Sequence, residues 1–319
     1  MQKPSDNPQL FPTSGNPLPD NARAGYFAGE DGTRLRYGLF AATGRPARGT
    51  FVVLPGRNEP IEKYFETVED LQATGFGAAV MDLRGQGGSD RPLRDRQRGH
   101  VDSFTDYVSD LDRFLDEVVL ADCRPPYYLL GHSTGGLVAL MAAPLIASRI
   151  ERMVLSAPLI EFDGRRFSMR NMERLAGLLH VIGLGSSYFG SGRRVHGGPP
   201  FQGNALTSDE ARYARNQRIY DEAPQISMSG PTATWMRAAC LAARAVADPD
   251  FMATITVPVL MVAAGADTVV STPAIERYAI RLRSGSSITV DGARHELLQE
   301  RDVYREQFLA ALLAFAGSR

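Results

Sequence analysis

The sequence predicts an α/β fold: a mostly parallel central sheet with helices on both faces and an inserted helical cap. Three observations predict it. Short, fully apolar runs alternate with stretches whose apolar residues recur at helical spacing. The runs are apolar throughout, as in strands buried on both faces, where a half-exposed strand would alternate. The alternation stops after about residue 160 and resumes at Val257. Residues 1–22 are expected as a disordered or extended arm, 23–160 and 236–319 as the core, and 161–235 as the cap.

The arm carries Pro4, Pro8, Pro12, Pro17 and Pro19 among polar spacers. Gly25–Ala28 and Thr33–Phe40 flank Glu30-Asp31-Gly32 and read as a hairpin. Thr50–Leu54 is the first continuous apolar strand, and it ends in Pro55-Gly56-Arg57-Asn58-Glu59-Pro60. A helix with Tyr64, Val68, Leu71 and Ala73 on its apolar face follows. Gly77–Asp82 is the next strand, with the Gly-rich exit loop Leu83–Ser89. Asp102 or Ser103 caps a helix running through Leu111, Phe114, Leu115 and Val118.

Tyr127–Leu130 then leads into Gly131-His132-Ser133-Thr134-Gly135-Gly136, and Leu137–Ala143 reads as a buried helix. Strand, sharp turn and helix are the context that gives a Gly-x-Ser-x-Gly match its meaning. The nucleophile sits on a strained turn, and Gly131 and Gly135 remove side chains that would clash with the neighbouring strand and helix. Met153–Pro158 is a further strand. In the cap, Leu175–Leu184 is mixed, Gly185–Gly203 is a Gly- and Pro-rich loop, and Thr207–Glu210 reads as a helix start. Strand Val257–Ala264, a helix from about Pro273 to Arg283, strand Ser287–Val290 and a helix from about Asp302 to Phe315 complete the core.

Composition narrows the function classes. A formal net charge of -1 supplies no basic field, so no nucleic-acid partner is expected. Cys123 and Cys240 are expected as free thiols in a reducing compartment. Met1–Pro8 is followed by no apolar signal segment, and no stretch approaches ~20 uninterrupted apolar residues. A cytoplasmic protein is expected, whose membrane contact, if it has one, is peripheral.

A serine hydroxyl needs a base to take its proton, and the base needs a carboxylate to orient it. In an α/β-hydrolase fold the chain order is Ser, acid, His. His180, His196 and His295 follow Ser133. His295 stands directly after the last strand and is the expected base; His180 reads as an interfacial cap residue and His196 as a solvated loop residue. Asp267, just past the Val257–Ala264 run, is the expected acid, with Glu161 and Asp163 as fallbacks. The oxyanion of a tetrahedral intermediate is expected to meet the backbone N–H of Thr134 and that of Arg57. No metal or cofactor is required.

Pro55–Glu59, Asp82–Ser89, Arg98–Val101 before Phe104 and Tyr107-Val108, Gly131–Ser133, Gly292–Glu296 and, in the cap, Gly230–Trp235 together carry a resemblance. The chain resembles the monoacylglycerol lipase and lysophospholipase L2-like family of serine α/β-hydrolases. Relatives usually have His-Gly where this chain has Pro55-Gly56, which alters the pocket rim and spares the amide donor. The resemblance implies hydrolysis of a small lipid-like monoacyl ester. The apolar cap stretch Leu175–Ile182 offers Leu178 and Leu179 as substrate-pocket residues, though ordinary packing of cap on core would explain them too, and Trp235 is expected beside the pocket. The resemblance also covers esterases and serine aminopeptidases, so an aminopeptidase is the rival reading, and a non-catalytic binding protein on the same fold a further one. The aminopeptidase would need acidic cap residues, for which Glu161, Asp163, Glu173, Asp209 and Glu210 are candidates. Arg91, Arg94, Arg96 and Arg98 around Asp95 suit either anionic head groups or a solvated loop with local ion pairs.

Overall fold

A computed structural model describes residues 9–44, 46–164, 168–190, 192 and 199–317. Eight strands form one sheet: β1 (Ala22–Ala28), β2 (Arg34–Phe40), β3 (Gly49–Leu54), β4 (Phe76–Met81), β5 (Tyr127–His132), β6 (Arg152–Ser156), β7 (Val259–Ala264) and β8 (Gly285–Val290). Their order across the sheet is β1-β2-β4-β3-β5-β6-β7-β8. The β1–β2 and β2–β4 pairs are antiparallel, and β4 through β8 are parallel.

Each parallel strand presents alternate residues to two separate cores. Along β3, Val52 and Leu54 join Leu129, Leu155 and Met261 under the helices Phe104–Phe114, Thr134–Ile146, Ala233–Val246 and Thr272–Arg281. Phe51 and Val53 point the other way, with Tyr128, Leu130, Val154 and Leu260, under Phe65–Ala73 and Asp302–Gly317. Both faces exclude water, which is why these strands carry no polar alternation. Ser103 caps its helix through its hydroxyl, as expected.

After β3 the chain turns to one side to make β4, then crosses back to place β5 on the other side of β3. The carboxyl ends of β3 and β5, with Leu54 paired to Gly131, therefore flank the point where the strand order reverses. Such a switch point leaves a crevice beyond the strand ends.

Between β6 and β7 the chain builds Met169–Leu179, Glu210–Glu222 and a short turn at Pro224–Ile226. The helix Ala233–Val246 straddles the expected cap boundary at 235 and is buried on the core. Thr232 caps it, and backbone hydrogen bonds from Gly99 to Gly230 and from Thr232 to Gly99 join its entry to the core. The arm is also tied down from residue 9: Gln9 O accepts from Arg36 Nη1, Phe11 N donates to Glu62 Oε1, and Asn16 Nδ2 donates to Glu62 O. Arg36 is itself buried between Glu62 and Asp82, at 2.8 and 2.6 Å. The arm's proline spacing gave no sign of this anchor, because its partners lie on other elements. Cys123 and Cys240 are both free thiols. Among the described residues no helix is long and apolar enough to cross a membrane.

Candidate active site

Ser133 sits between β5 and the helix Thr134–Ile146 with φ 49° and ψ -110°. A side-chain-bearing residue pays for such a conformation, and it persists only where neighbours over-determine it. Here they do. Ser133 N donates to Ser156 O at 3.0 Å, and Ser133 O accepts from Leu137 N at 3.2 Å and Leu159 N at 3.0 Å. The flanking glycines are required by space. A Cβ on Gly135 would lie 2.1 Å from Leu54 O, and one on Gly131 would lie 2.9 Å from Gly135 O.

Asp267 lies on the loop after β7 and His295 on the loop after β8, and both are buried. The two loops are joined by Ala266 N donating to Ala293 O at 2.8 Å. His295 Nδ1 is 2.7 Å from Asp267 Oδ2. Asp267 Oδ1 accepts from Val269 N at 2.7 Å and Val270 N at 3.1 Å. Burial alone would raise the Asp267 carboxyl. The hydrogen bond and charge of His295 and the two amides outweigh burial and hold it below the usual carboxylate value. A carboxylate facing Nδ1 places the proton there and leaves Nε2 free to accept.

Ser133, Thr134 and His295 line one cavity of about 430 Å³ together with Gly56, Arg57 and Asn58. The loop after β3 is clamped. Gly56 N donates to Glu59 Oε2 at 2.6 Å, Asn58 N donates to Gln86 Oε1 at 3.2 Å, and Gln86 Nε2 donates to Gly56 O at 3.0 Å. Of three consecutive amides, the outer two are thus occupied. The amides of Arg57 and Thr134 have no partner among the described residues.

Behind this loop lies a buried charge cluster with no role in the sequence reading. Lys63 Nζ donates to Glu59 Oε1 and Glu296 Oε1, both at 2.6 Å, and Tyr64 OH donates to Glu59 Oε2 at 2.6 Å. The motif residues Glu59 and Glu296 were visible, but nothing local pairs residues 233 positions apart. The His132 ring lies tilted by 50° against that of His295, ring centroids 4.9 Å apart. Burial, only partly offset by the nearby Glu59 carboxylate, pushes His132 down to about 4. It is therefore neutral at pH 7, with Nδ1 3.1 Å from Ser156 O.

Of the expected pocket residues, Trp235 lines the cavity, and its Nε1 donates to Tyr107 OH at 3.3 Å. Leu178 and Leu179 do not line it, and Leu178 is 57% exposed. The helix Met169–Leu179 carries more apolar residues than its core-facing side can bury. Met169, Met172 and Ala176, at helical spacing, take the core-facing side and turn Leu175 and Leu178 outward. The apolar wall comes instead from Leu159, Phe162, Phe189, Met236, Val269 and Val270. His180 meets Thr234 Oγ1 at 3.0 Å, an interfacial position as expected, and His196 lies outside the described residues. Glu161 lies 3.9 Å from Arg277, away from the cavity lining. Arg91 donates to the carbonyls of Arg96, Gly87 and Ile226, and Arg98 pairs with Asp95.

Residues 45–302 match the family described as serine aminopeptidase, S33. The chain is 33% identical to lysophospholipase L2 of Escherichia coli (strain K12) over 301 residues, covering 91% of this chain and 86% of that protein. It is 28% identical over 295 residues to the probable lysophospholipase L2 of Haemophilus influenzae, covering 91% and 90%. Its fold is similar to that of a soluble variant of monoglyceride lipase from Saccharomyces cerevisiae, solved in complex with a substrate analog. There the TM-score is 0.73 at 20% identity, covering 98% of this chain and 100% of that one.

Proposed function

The chain belongs to the serine aminopeptidase S33 family of α/β-hydrolases, and from that premise we propose that it is a serine carboxylic-ester hydrolase acting on lipid-like monoacyl esters, lysophospholipids or monoacylglycerols. One observation carries the reading: Ser133, on its strained turn, and His295, bonded to Asp267, open into the same apolar-walled cavity. In this reading His295 Nε2 takes the proton as Ser133 Oγ attacks the ester carbonyl. Asp267 holds the imidazole and stabilises its protonated form. The amides of Arg57 and Thr134 receive the oxyanion. The alcohol leaves with the proton from His295, and water then releases the fatty acid from the acyl-enzyme by the same steps in reverse roles. The relatives' names support a lipid ester: lysophospholipase L2 by sequence and monoglyceride lipase by fold.

The aminopeptidase reading needs a carboxylate free to bind an α-amine. The carboxylates among the described lining residues are Glu59 and Glu296, and both are bonded to Lys63. Glu173 pairs with Arg244, and Asp209 caps its helix and pairs with Arg212. The test is fatty-acid release from 1-oleoyl-lysophospholipid and 1-oleoylglycerol against cleavage of aminoacyl anilides, by wild type and Ser133→Ala. Ester cleavage that falls on the order of 10³-fold or more in the variant is expected. Efficient anilide cleavage with inert lipids would overturn the reading in favour of the aminopeptidase.

A further inference from the structure

The acyl-transfer scheme uses the backbone of Arg57 and leaves its side chain idle. Among the described residues the cavity lining holds two cations, Arg57 and Lys63. Lys63 is neutralised by Glu59 and Glu296. Arg57 is not paired in this way. Its Nη1 donates to the carbonyl of Ser229 at 3.0 Å, and its guanidinium lies 5.8 Å from the centroid of the Trp235 ring. Among the described residues it has no carboxylate partner. After the hydroxyls of Tyr220 and Tyr107, the carboxylate of Glu59 acts on it through space, and that carboxylate is already bonded by Lys63, Tyr64 and Gly56 N. Burial pushes the Arg57 guanidinium down from its ordinary value, yet an arginine keeps its charge at pH 7. Arg57 is partly buried and faces the cavity; a partly desolvated cation without a counter-ion gains from an incoming anion.

A second group points the same way. The side-chain oxygen of Asn58 is buried in the same wall and has no hydrogen-bond donor among the described residues. An anion for Arg57 and a hydroxyl donor for Asn58 are what a monoacyl glycerophospholipid carries beside its ester. The amide of Arg57 is the expected oxyanion donor, so its guanidinium reaches only one side-chain length from the scissile carbonyl. A phosphodiester on the same glycerol is within that range.

Resting on the ester-hydrolase reading above, we propose that Arg57 and Asn58 form a head-group subsite: Arg57 binds the phosphodiester anion of a lysophospholipid leaving group, and Asn58 accepts a hydrogen bond from its free glycerol hydroxyl. The site thereby prefers lysophospholipid to monoacylglycerol of the same acyl chain.

The experiment compares 1-oleoyl-lysophosphatidylglycerol with 1-oleoylglycerol in the same neutral mixed micelles, as the ratio of their kcat/KM values. Changes at the shared oxyanion amide cancel in this ratio. Wild type is expected to favour the phospholipid at least ten-fold, Arg57→Met to lower the ratio at least ten-fold, and Arg57→Lys to recover part of it. A ratio that Arg57→Met leaves within about three-fold of wild type overturns the subsite alone. Wild type that cleaves neither lipid overturns the ester-hydrolase reading and the subsite with it. Should Arg57→Met fail to fold, sn-glycerol 3-phosphate is tested as a competitive inhibitor of p-nitrophenyl butyrate hydrolysis by wild type. Inhibition beyond that of glycerol is then expected, and its absence overturns the subsite.

Discussion

Replacing Asp267 with Asn tests the charge relationship at the centre of the site, and the hydrogen bonds around it dictate the outcome. Asp267 Oδ1 accepts from Val269 N and Val270 N, so in the variant the amide oxygen must occupy that side. The NH₂ group then faces His295 Nδ1, 2.7 Å away in the native pair. Two donors cannot share that line. The imidazole proton moves to Nε2, and the nitrogen that should accept from Ser133 becomes a donor. Packing is little changed, since the replacement is isosteric. The expected loss in kcat is about 10³- to 10⁴-fold, equivalent to roughly 4–5.5 kcal/mol of transition-state stabilisation. The assay is steady-state hydrolysis of p-nitrophenyl butyrate at pH 7.5, with melting temperature as the folding control. A folded Asp267→Asn enzyme within ten-fold of wild type would refute the assignment, and a severe effect of Glu161→Gln or Asp163→Asn in its place would move the acid to the loop after β6.

Three further outcomes are expected. Gly135→Ala sets its methyl 2.1 Å from the Leu54 carbonyl oxygen, a backbone atom that cannot swing away; a cost of about 4 kcal/mol lowers the melting temperature by roughly 6 °C, and an unchanged melting curve would count against the close contact. Glu59→Gln offers one acceptor oxygen where Gly56 N, Tyr64 OH and Lys63 Nζ need two; stability falls by about 1–3 kcal/mol for each lost bond, and, on the proposed role of the Arg57 amide, kcat falls with KM little changed as its loop loosens, whereas full activity would show that the clamp is dispensable. His132 titrates at about 4 in the folded protein against 6.5 for an ordinary histidine. As pH falls from 6.5 to 4 the unfolded chain takes up a proton that the native state refuses, so stability present above pH 6.5 is lost across that window, by up to about 3 kcal/mol. Urea midpoints measured from pH 7 to 4 should fall less steeply in His132→Gln, and parallel slopes for the two proteins would remove His132 from the account.

The sequence by itself determined the elements and the chain order of Ser133, Asp267 and His295, each just past a strand. Uninterrupted runs such as Phe51–Leu54 and Val259–Ala264 announced strands buried on both faces, because a strand with a wet face cannot afford them. The turn at Gly131–Gly135 was legible because its signature stands in five consecutive residues, a serine at φ 49° between glycines, although the Leu54 and Ser156 carbonyls that impose and hold it lie on other strands. Asp267 and His295 were legible because each lies a few residues past its strand, and parallel strands deliver all such positions to one edge.

Tertiary structure alone decided the rest. Periodicity shows that Met169–Leu179 has apolar residues but not which of them face the core; packing against Ala233–Val246 chose Met169, Met172 and Ala176, and left Leu178 in solvent. The arm's composition reads as loose chain, yet Arg36 and Glu62 supply the partners that hold residues 9–16. Glu59, Lys63 and Glu296 are ordinary surface residues to a composition count. Only the meeting of two strand ends and the final loop buries them together, and burial makes each charge require the others. The idle side chain of Arg57 has the same origin. A local pattern specifies what a residue and its chain neighbours must do, whereas a charge's partner, or the lack of one, is a property of residues brought together from far apart in the chain.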